Sequence, residues 1–176
     1  MQSDPIAFAN SSASLSRPLD RRFTENIRKY LLESSLLFVV ICKAPDGDEE
    51  NSNHHTEGTT RKLERIGILF LKSSSPDMLH PRCTELGIDI KREYQGQGYG
   101  TEAIRWVLDW AFNSAGLHRV ELNVLGRNPR AARIYEILGF REEGRRRECL
   151  FRDGRWWDEV HMGLLRGKWE KEVKTR

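Results

Sequence analysis

The sequence predicts a mixed α/β domain whose central sheet is mostly antiparallel and flanked by helices. Three observations carry this. Short β-branched apolar runs recur at 35–43, 66–72 and 83–90, with polar breaks between them. Two amphipathic helical segments follow, one entered through a Gly-rich turn and one through Asn128-Pro129, with a further strand-like run between them. The chain then closes on two strand-like segments joined around Asp153-Gly154, a dipeptide suited to a tight hairpin.

Each element has its own reason. Residues 1–20 are rich in Ser, Pro and Asp and read as loop or short helix. Residues 21–34 place Phe23, Ile27, Tyr30 and Leu31 at helical spacing, giving one face for the core. Residues 35–43 (SLLFVVICK) form a buried strand that makes Cys42 a core position. Residues 44–61 show no periodicity and read as a flexible hairpin loop. Residues 66–72 return as a strand, 73–81 form a second loop, and 83–90 (CTELGIDI) form a third strand. The helix at 101–115 puts Ala103, Ile104, Val107, Leu108 and Ala111 on one face, and Gly116 stops it. A strand at 119–125 precedes a helix at 128–138, which Asn128 can cap, Pro129 can open and Gly139 can end. Segments 141–151 and 156–165 are the closing strands. Trp156 and Trp157 alternate there, so one is expected to face the core and the other a binding groove or, as the plainer reading, the surface. His161 shares a face with Trp157 and reads as a satisfied polar residue. The expected organisation is one domain: residues 1–34 as its N-terminal loop and helix, 35–169 as its main body, and 170–176 as a tail.

Bulk properties exclude several classes. With 176 residues, 38% hydrophobic and 31% charged, the chain is long and apolar enough for one sizeable core under a polar surface. A formal charge of +3 is too small an excess to argue for nucleic acid, so no nucleic-acid partner is expected. Cys42, Cys83 and Cys149 are odd in number, widely spaced and without a CxxC, which suits neither a disulfide framework nor a zinc site. His54 and His55 stand in a polar stretch with too few further ligands for a metal. The opening MQSDPIAFAN lacks the basic and apolar regions of a signal peptide, and no apolar run approaches the roughly 20 residues of a membrane helix. The expected location is the cytoplasm or nucleus, with no membrane partner.

The most informative stretch is Gln95, Gly96, Gln97, Gly98, Tyr99, Gly100, Thr101, which leaves a strand and opens a helix. The first turn of a helix has unpaired N–H groups and a partial positive charge, and glycines let the backbone approach a ligand closely. The combination suits phosphate or pyrophosphate. Three cofactor classes compete. A P-loop needs Lys-Ser/Thr after the last glycine, whereas Thr101-Glu102 follows here. A dinucleotide fold would place such a loop in an early βαβ unit, whereas this one follows an antiparallel meander. Coenzyme A is the third class. A turn that merely uses glycine remains the plain alternative.

A second motif follows the next strand: Asn128-Pro-Arg-Ala-Ala-Arg-Ile-Tyr135-Glu-Ile-Leu-Gly-Phe140. Gln95-x-x-Gly98-x-Gly100 together with Asn128 and Tyr135-Glu-x-Leu-Gly-Phe140 resembles the two half-motifs of the GNAT acetyltransferase superfamily, with one helix and one strand between them. The resemblance spans roughly residues 35–169 and is strongest over 85–140. Within the superfamily it is nearest the branch holding ribosomal-protein alanine acetyltransferases and spermidine acetyltransferase, whose last hairpin the tail GFREEGRRRECLFRDGRWWDEVHMGLL also resembles. Relatives of that branch begin with a strand and a helix ahead of an Asp-Pro turn. Here Asp4-Pro5 stands almost at the amino terminus, so the resemblance implies a GNAT-like sheet without its first strand.

The resemblance implies an acetyl-CoA-dependent N-acetyltransferase that acts on a primary amine by direct attack on the thioester. A protein N-terminus, a polyamine and another small amine are all open as acceptor. It implies that backbone N–H groups of residues 97–101 take the pyrophosphate, that the main chain at Ile88 and Ile90 pairs with the pantetheine arm, and that Asn128 hydrogen-bonds that arm as well as capping its helix. Arg133 and Arg130 are candidates for the 3′-phosphate, Arg133 being the preferred one and Arg130 reading as solvated. Tyr135 is the implied general acid toward the leaving sulfur; its plain alternative is a half-buried aromatic on an amphipathic helix. The general base is less determined. Some relatives use a glutamate where this chain has Asn123, which cannot take a proton. Glu121 lies two residues earlier, and Glu85, on the strand before the Gly loop, is the candidate base; its alternative is a surface carboxylate. Ala131 replaces a serine common in relatives. The competing functional reading is a catalytically inactive fold that binds acyl-CoA or a protein partner.

Overall fold

In the computed structural model the described residues are 21–44 and 63–174. The expectations for residues 1–20 and for the loop at 45–62 lie outside them. Helix α1 (Arg21–Glu33) leads into β1 (Ser35–Lys43), followed by β2 (Glu64–Lys72) and β3 (Cys83–Ile90). Helix α2 (Tyr99–Asp109) continues into a single π turn (Trp110–Ser114), then β4 (Arg119–Leu125). Helix α3 (Pro129–Ile137), β5 (Arg141–Arg152), β6 (Arg155–Leu165) and α4 (Arg166–Lys174) complete the chain. No helix among the described residues is long and apolar enough to cross a membrane.

The strands form one six-stranded sheet in the order β1-β2-β3-β4-β6-β5. All neighbours are antiparallel except β3 and β4, which run parallel. Because side chains alternate across a strand, each strand sends one set to the core. Leu69 and Leu71 of β2, Leu86 of β3, Val120, Leu122 and Val124 of β4, and Val160, Met162 and Leu164 of β6 supply that set. They meet Ile104, Val107 and Leu108 of α2, Phe112 of the π turn, Tyr135 of α3 and Trp169 of α4. The opposite sheet face carries Lys72, Glu85, Glu121 and Asn123.

Several local expectations change. Of the described side chains on the apolar face of α1, Tyr30 is exposed, Ile27 and Leu31 are half-buried, and none belongs to the core cluster. Cys42 is half-buried and free, as are Cys83 and Cys149. Neither Trp156 nor Trp157 enters the core. Trp156 is exposed and packs on Phe151 at 5.1 Å between ring centroids, while the Trp157 indole N–H donates to the Arg152 carbonyl at 3.2 Å. The strand spacing gave the alternation of the two tryptophans, with Trp157 half-buried and Trp156 exposed, but neither belongs to the core cluster. His161 lies 3.7 Å from the Glu159 carboxylate.

Candidate active site

The site begins where two strands part. β3 and β4 are in register only at Cys83–Arg119, Thr84–Val120 and Glu85–Glu121. Past Glu85 and Glu121, β3 remains paired with β2 from Leu86 to Ile90, and β4 remains paired with β6 to Leu125. No backbone pairing joins the two strands to each other there among the described residues. Two parallel strands thus open into a wedge whose inner edges offer backbone groups to an extended ligand, the Ile90 carbonyl being already held by the Gln95 amide.

The Gly loop stands at the mouth of that wedge. A Cβ on Gly100 would lie 3.7 Å from Ile90 and 3.9 Å from Ile88, so the start of α2 rests beside the β3 edge. Gly98 caps α2 with φ 94°, a left-handed conformation that an L side chain rarely adopts. The first helical hydrogen bond runs from Glu102 N–H to the Gly98 carbonyl, 3.0 Å. The N–H groups of Gln97, Gly98, Tyr99, Gly100 and Thr101 therefore have no backbone acceptor among the described residues. Five free donors at the positive end of a helix fit a pyrophosphate in number and in charge.

Side chains brace the loop. Gln95 donates its amide to the Ile90 carbonyl at 2.8 Å, and Gln97 donates to the Glu93 carbonyl at 2.7 Å. The Tyr94 hydroxyl donates to Glu64 at the start of β2, and the Tyr94 and Tyr99 rings meet edge-on at 6.4 Å. Gln95 and Gln97 thus spend their side chains on holding the loop, which leaves its backbone for the ligand.

Helix α3 delivers three of the predicted residues. Asn128 caps it, its Oδ1 accepting from Ala131 N–H at 3.1 Å, and this leaves the amide N–H₂ to donate elsewhere. Tyr135 is buried, in the core cluster, with its ring edge-on to Phe140 at 5.8 Å. Burial alone pushes its phenol up to about 12, so it is fully protonated near neutral pH. Arg133 points away on the exposed side of the helix, in a 3.2 Å pair with Glu136. Arg130 lies elsewhere: its guanidinium rests against Gly96, where an added Cβ would overlap it.

The carboxylates sit at the vertex of the wedge. Glu85 accepts a 2.6 Å hydrogen bond from Lys72 Nζ and is about one-third exposed. Across the register from it, Glu121 accepts from Arg119 at 3.1 Å. Arg119 also grips Glu143 with both guanidinium arms, which lowers the Glu143 carboxyl below its usual range. Cys83, beside this network, is pushed up to about 11, mainly by burial and then by Glu121, so its thiol stays protonated and is a poor nucleophile. Asn123 is exposed and stands in register with His161. Lys72, the partner of Glu85, is a site residue that sequence reasoning missed. It ends a strand 13 residues before Glu85, and only the antiparallel pairing of β2 with β3 brings the two together.

A wedge between parallel strands with a Gly-capped helix at its mouth suits an extended, phosphate-bearing cofactor, and the comparisons with known proteins give the family. The family profile described as the acetyltransferase (GNAT) domain matches residues 19–141. The chain belongs to the GNAT acetyltransferase family. It is an N-acetyltransferase that takes its acetyl group from acetyl-CoA. It is 39% identical over 156 residues to a spermidine N(1)-acetyltransferase of Vibrio cholerae, covering 85% of this chain and 90% of that protein. It is 31% identical over 84 residues to the ribosomal protein uS5 alanine N-acetyltransferase of Escherichia coli, covering 48% of this chain and 43% of that protein. Among solved structures, a spermidine N-acetyltransferase mutant from Vibrio cholerae superposes with a TM-score of 0.67 at 26% identity, covering 93% of this chain and 86% of that one. The same fold is shared with the Vibrio cholerae enzyme solved in complex with CoA and spermine, at a TM-score of 0.73 and 24% identity. The alternative of an inactive GNAT fold finds no support in these relatives.

Proposed function

We propose that this acetyltransferase acts on the primary amine of a polyamine, spermidine being the acceptor to test first, by direct attack on the thioester. The observation that carries the mechanism is the parting of β3 and β4 beyond Glu85 and Glu121, with the Gly98-capped helix at its mouth. The polyamine choice rests on the relative that matches most of the chain.

The cofactor, when bound, supplies an activated acetyl group on sulfur. Everything else falls to the protein. The free N–H groups of residues 97–101 hold the pyrophosphate, and the open edge of β3 at Ile88 and Ile90 pairs with the pantetheine arm. The Asn128 amide donates to that arm while its oxygen stays on the helix cap. These contacts fix the thioester in one place, which removes much of the entropy cost of a two-substrate encounter.

Glu85 takes the proton from the ammonium, directly or through a water, so that a neutral amine attacks. Lys72 keeps Glu85 in place on the sheet. Tyr135 holds its proton at neutral pH and gives it to the departing thiolate, and the proton that the attacking nitrogen sheds on becoming an amide restores the phenol. Cys83 takes no part as a nucleophile, since its thiol is held protonated.

The test is steady-state release of free thiol from acetyl-CoA with spermidine and, in parallel, with a peptide bearing an N-terminal alanine. Turnover with spermidine well above that with the peptide supports the polyamine reading. The reverse order moves the acceptor to protein N-termini.

A further inference from the structure

Arg130 is exposed, as the sequence reading has it, but its guanidinium has a fixed place in the fold. It occupies the second position of α3, two residues after the Asn128 cap. Its guanidinium reaches back over the Gly loop and lies against Gly96, whose φ is 80° and which has no side chain to hold it off. Among the described residues no carboxylate pairs with Arg130. Its neighbours differ: Arg127 is paired with Asp153 at 2.9 Å and Arg133 with Glu136 at 3.2 Å. A guanidinium is always charged, weakly hydrated, and shaped to grip a phosphate with two parallel N–H bonds.

Coenzyme A carries two kinds of phosphate. The pyrophosphate is matched by the five free N–H groups on the axis of α2. The Arg130 guanidinium comes from the neighbouring helix and lies against Gly96, outside the run of free N–H groups at 97–101 and two residues ahead of the Gly98 cap. The remaining phosphate is the dianion on the ribose 3′-oxygen, joined to the pyrophosphate through the same adenosine and pointing away from the acetyl-bearing arm. We propose that Arg130 binds the 3′-phosphate of coenzyme A and makes this enzyme discriminate against forms of the cofactor that lack it. The inference rests on the pyrophosphate lying on residues 97–101. It assigns to Arg130 the contact that the sequence favoured for Arg133.

The experiment is calorimetric titration of CoA and of 3′-dephospho-CoA into the wild type and into Arg130→Ala. The wild type is expected to bind CoA about tenfold more tightly than 3′-dephospho-CoA, the scale of one charge-assisted contact at a partly exposed site. In Arg130→Ala the preference falls to within about twofold, through weaker binding of CoA. Unchanged binding of 3′-dephospho-CoA shows that the variant is folded with its pyrophosphate site intact. Equal weakening of both ligands would place Arg130 on the pyrophosphate and overturn the inference. A tenfold preference that survives in Arg130→Ala overturns it too, while leaving the cofactor loop standing. A folded wild type that binds neither ligand would overturn the placement of the cofactor on this loop, and the inference with it.

Discussion

Tyr135 and Phe140 meet edge-on at 5.8 Å across the end of α3, so the turn that closes the helix is also what fixes the ring of the candidate acid. The Leu138 N–H and the Phe140 N–H both donate to the Tyr135 carbonyl, at 3.1 and 3.0 Å. Backbone and ring therefore hold the same residue from two sides. The hydroxyl has no hydrogen-bond partner among the described residues, which leaves it free for a ligand.

Tyr135→Phe should therefore separate chemistry from folding. Turnover is expected to fall by about a hundredfold, the scale of one general acid. Acetyl-CoA affinity and thermal stability should stay close to wild type, because the lost hydroxyl made no internal bond. The same residue predicts an alkaline effect. Burial holds the folded phenol at about 12 against an ordinary value of 10, so the folded state keeps this proton longer than the unfolded one. The stability contributed is complete below pH 10 and is lost as pH rises from 10 toward 12. Thermal melts between pH 8 and 11 should show an extra loss near the top of the range in the wild type and not in Tyr135→Phe.

Gly98 tests the loop. A Cβ there meets nothing within 4 Å, so substitution is limited by the 94° φ rather than by a clash. Gly98→Ala should cost about 1 kcal/mol in stability and only modestly weaken the cofactor. Gly98→Glu adds a carboxylate where the pyrophosphate belongs, and should weaken acetyl-CoA binding by about a hundredfold or more through like-charge repulsion. Calorimetry on the two variants distinguishes backbone strain from electrostatics.

The Glu85–Lys72 pair gives a third prediction. Glu85→Gln keeps the shape and the ability to accept from Lys72, but takes no proton. It should lower kcat on the order of a hundredfold while leaving the KM for acetyl-CoA near wild type, since the pyrophosphate and pantetheine contacts lie elsewhere. An unchanged kcat would leave Glu85 as a structural partner of Lys72.

How much of this was legible depended on how local the cause was. Strands at 35–43, 83–90 and 119–125 match the observed bounds residue for residue, because short apolar β-branched runs between polar breaks leave little choice. Asp153 and Gly154 take φ of 52° and 74°, the positive pair that a tight hairpin demands. Other features are not written locally. The helix read as 101–115 begins at Tyr99, because the left-handed Gly98 caps it early, and it relaxes at Trp110 into a π turn in which Ala115 N–H reaches the Trp110 carbonyl at 2.9 Å. The apolar spacing is almost the same for both, so periodicity does not see the change. The Lys72–Glu85 pair and the reach of Arg130 to Gly96 depend on strand pairing and helix placement, which no window of sequence contains.

Helix α4 was missed for a different reason, and it yields the last prediction. Arg166–Lys174 (RGKWEKEVK) follows β6 with no turn signal, contains a glycine, and has too few apolar residues to show a period. Its anchor is Trp169, only 8% exposed, set against Phe112 at 6.3 Å between ring centroids. Packing rather than propensity makes this helix. The indole N–H of Trp169 is buried without a partner among the described residues, so part of what the ring gains by burial is offset by a lost hydrogen bond to water. Trp169→Ala should cost about 3–5 kcal/mol by opening a cavity beside Phe112. Trp169→Phe removes the unsatisfied donor along with some volume, and should cost well under half of that. Chemical denaturation of the two variants beside the wild type measures both. A Phe variant as unstable as the Ala variant would mean that the indole N–H is satisfied in solution.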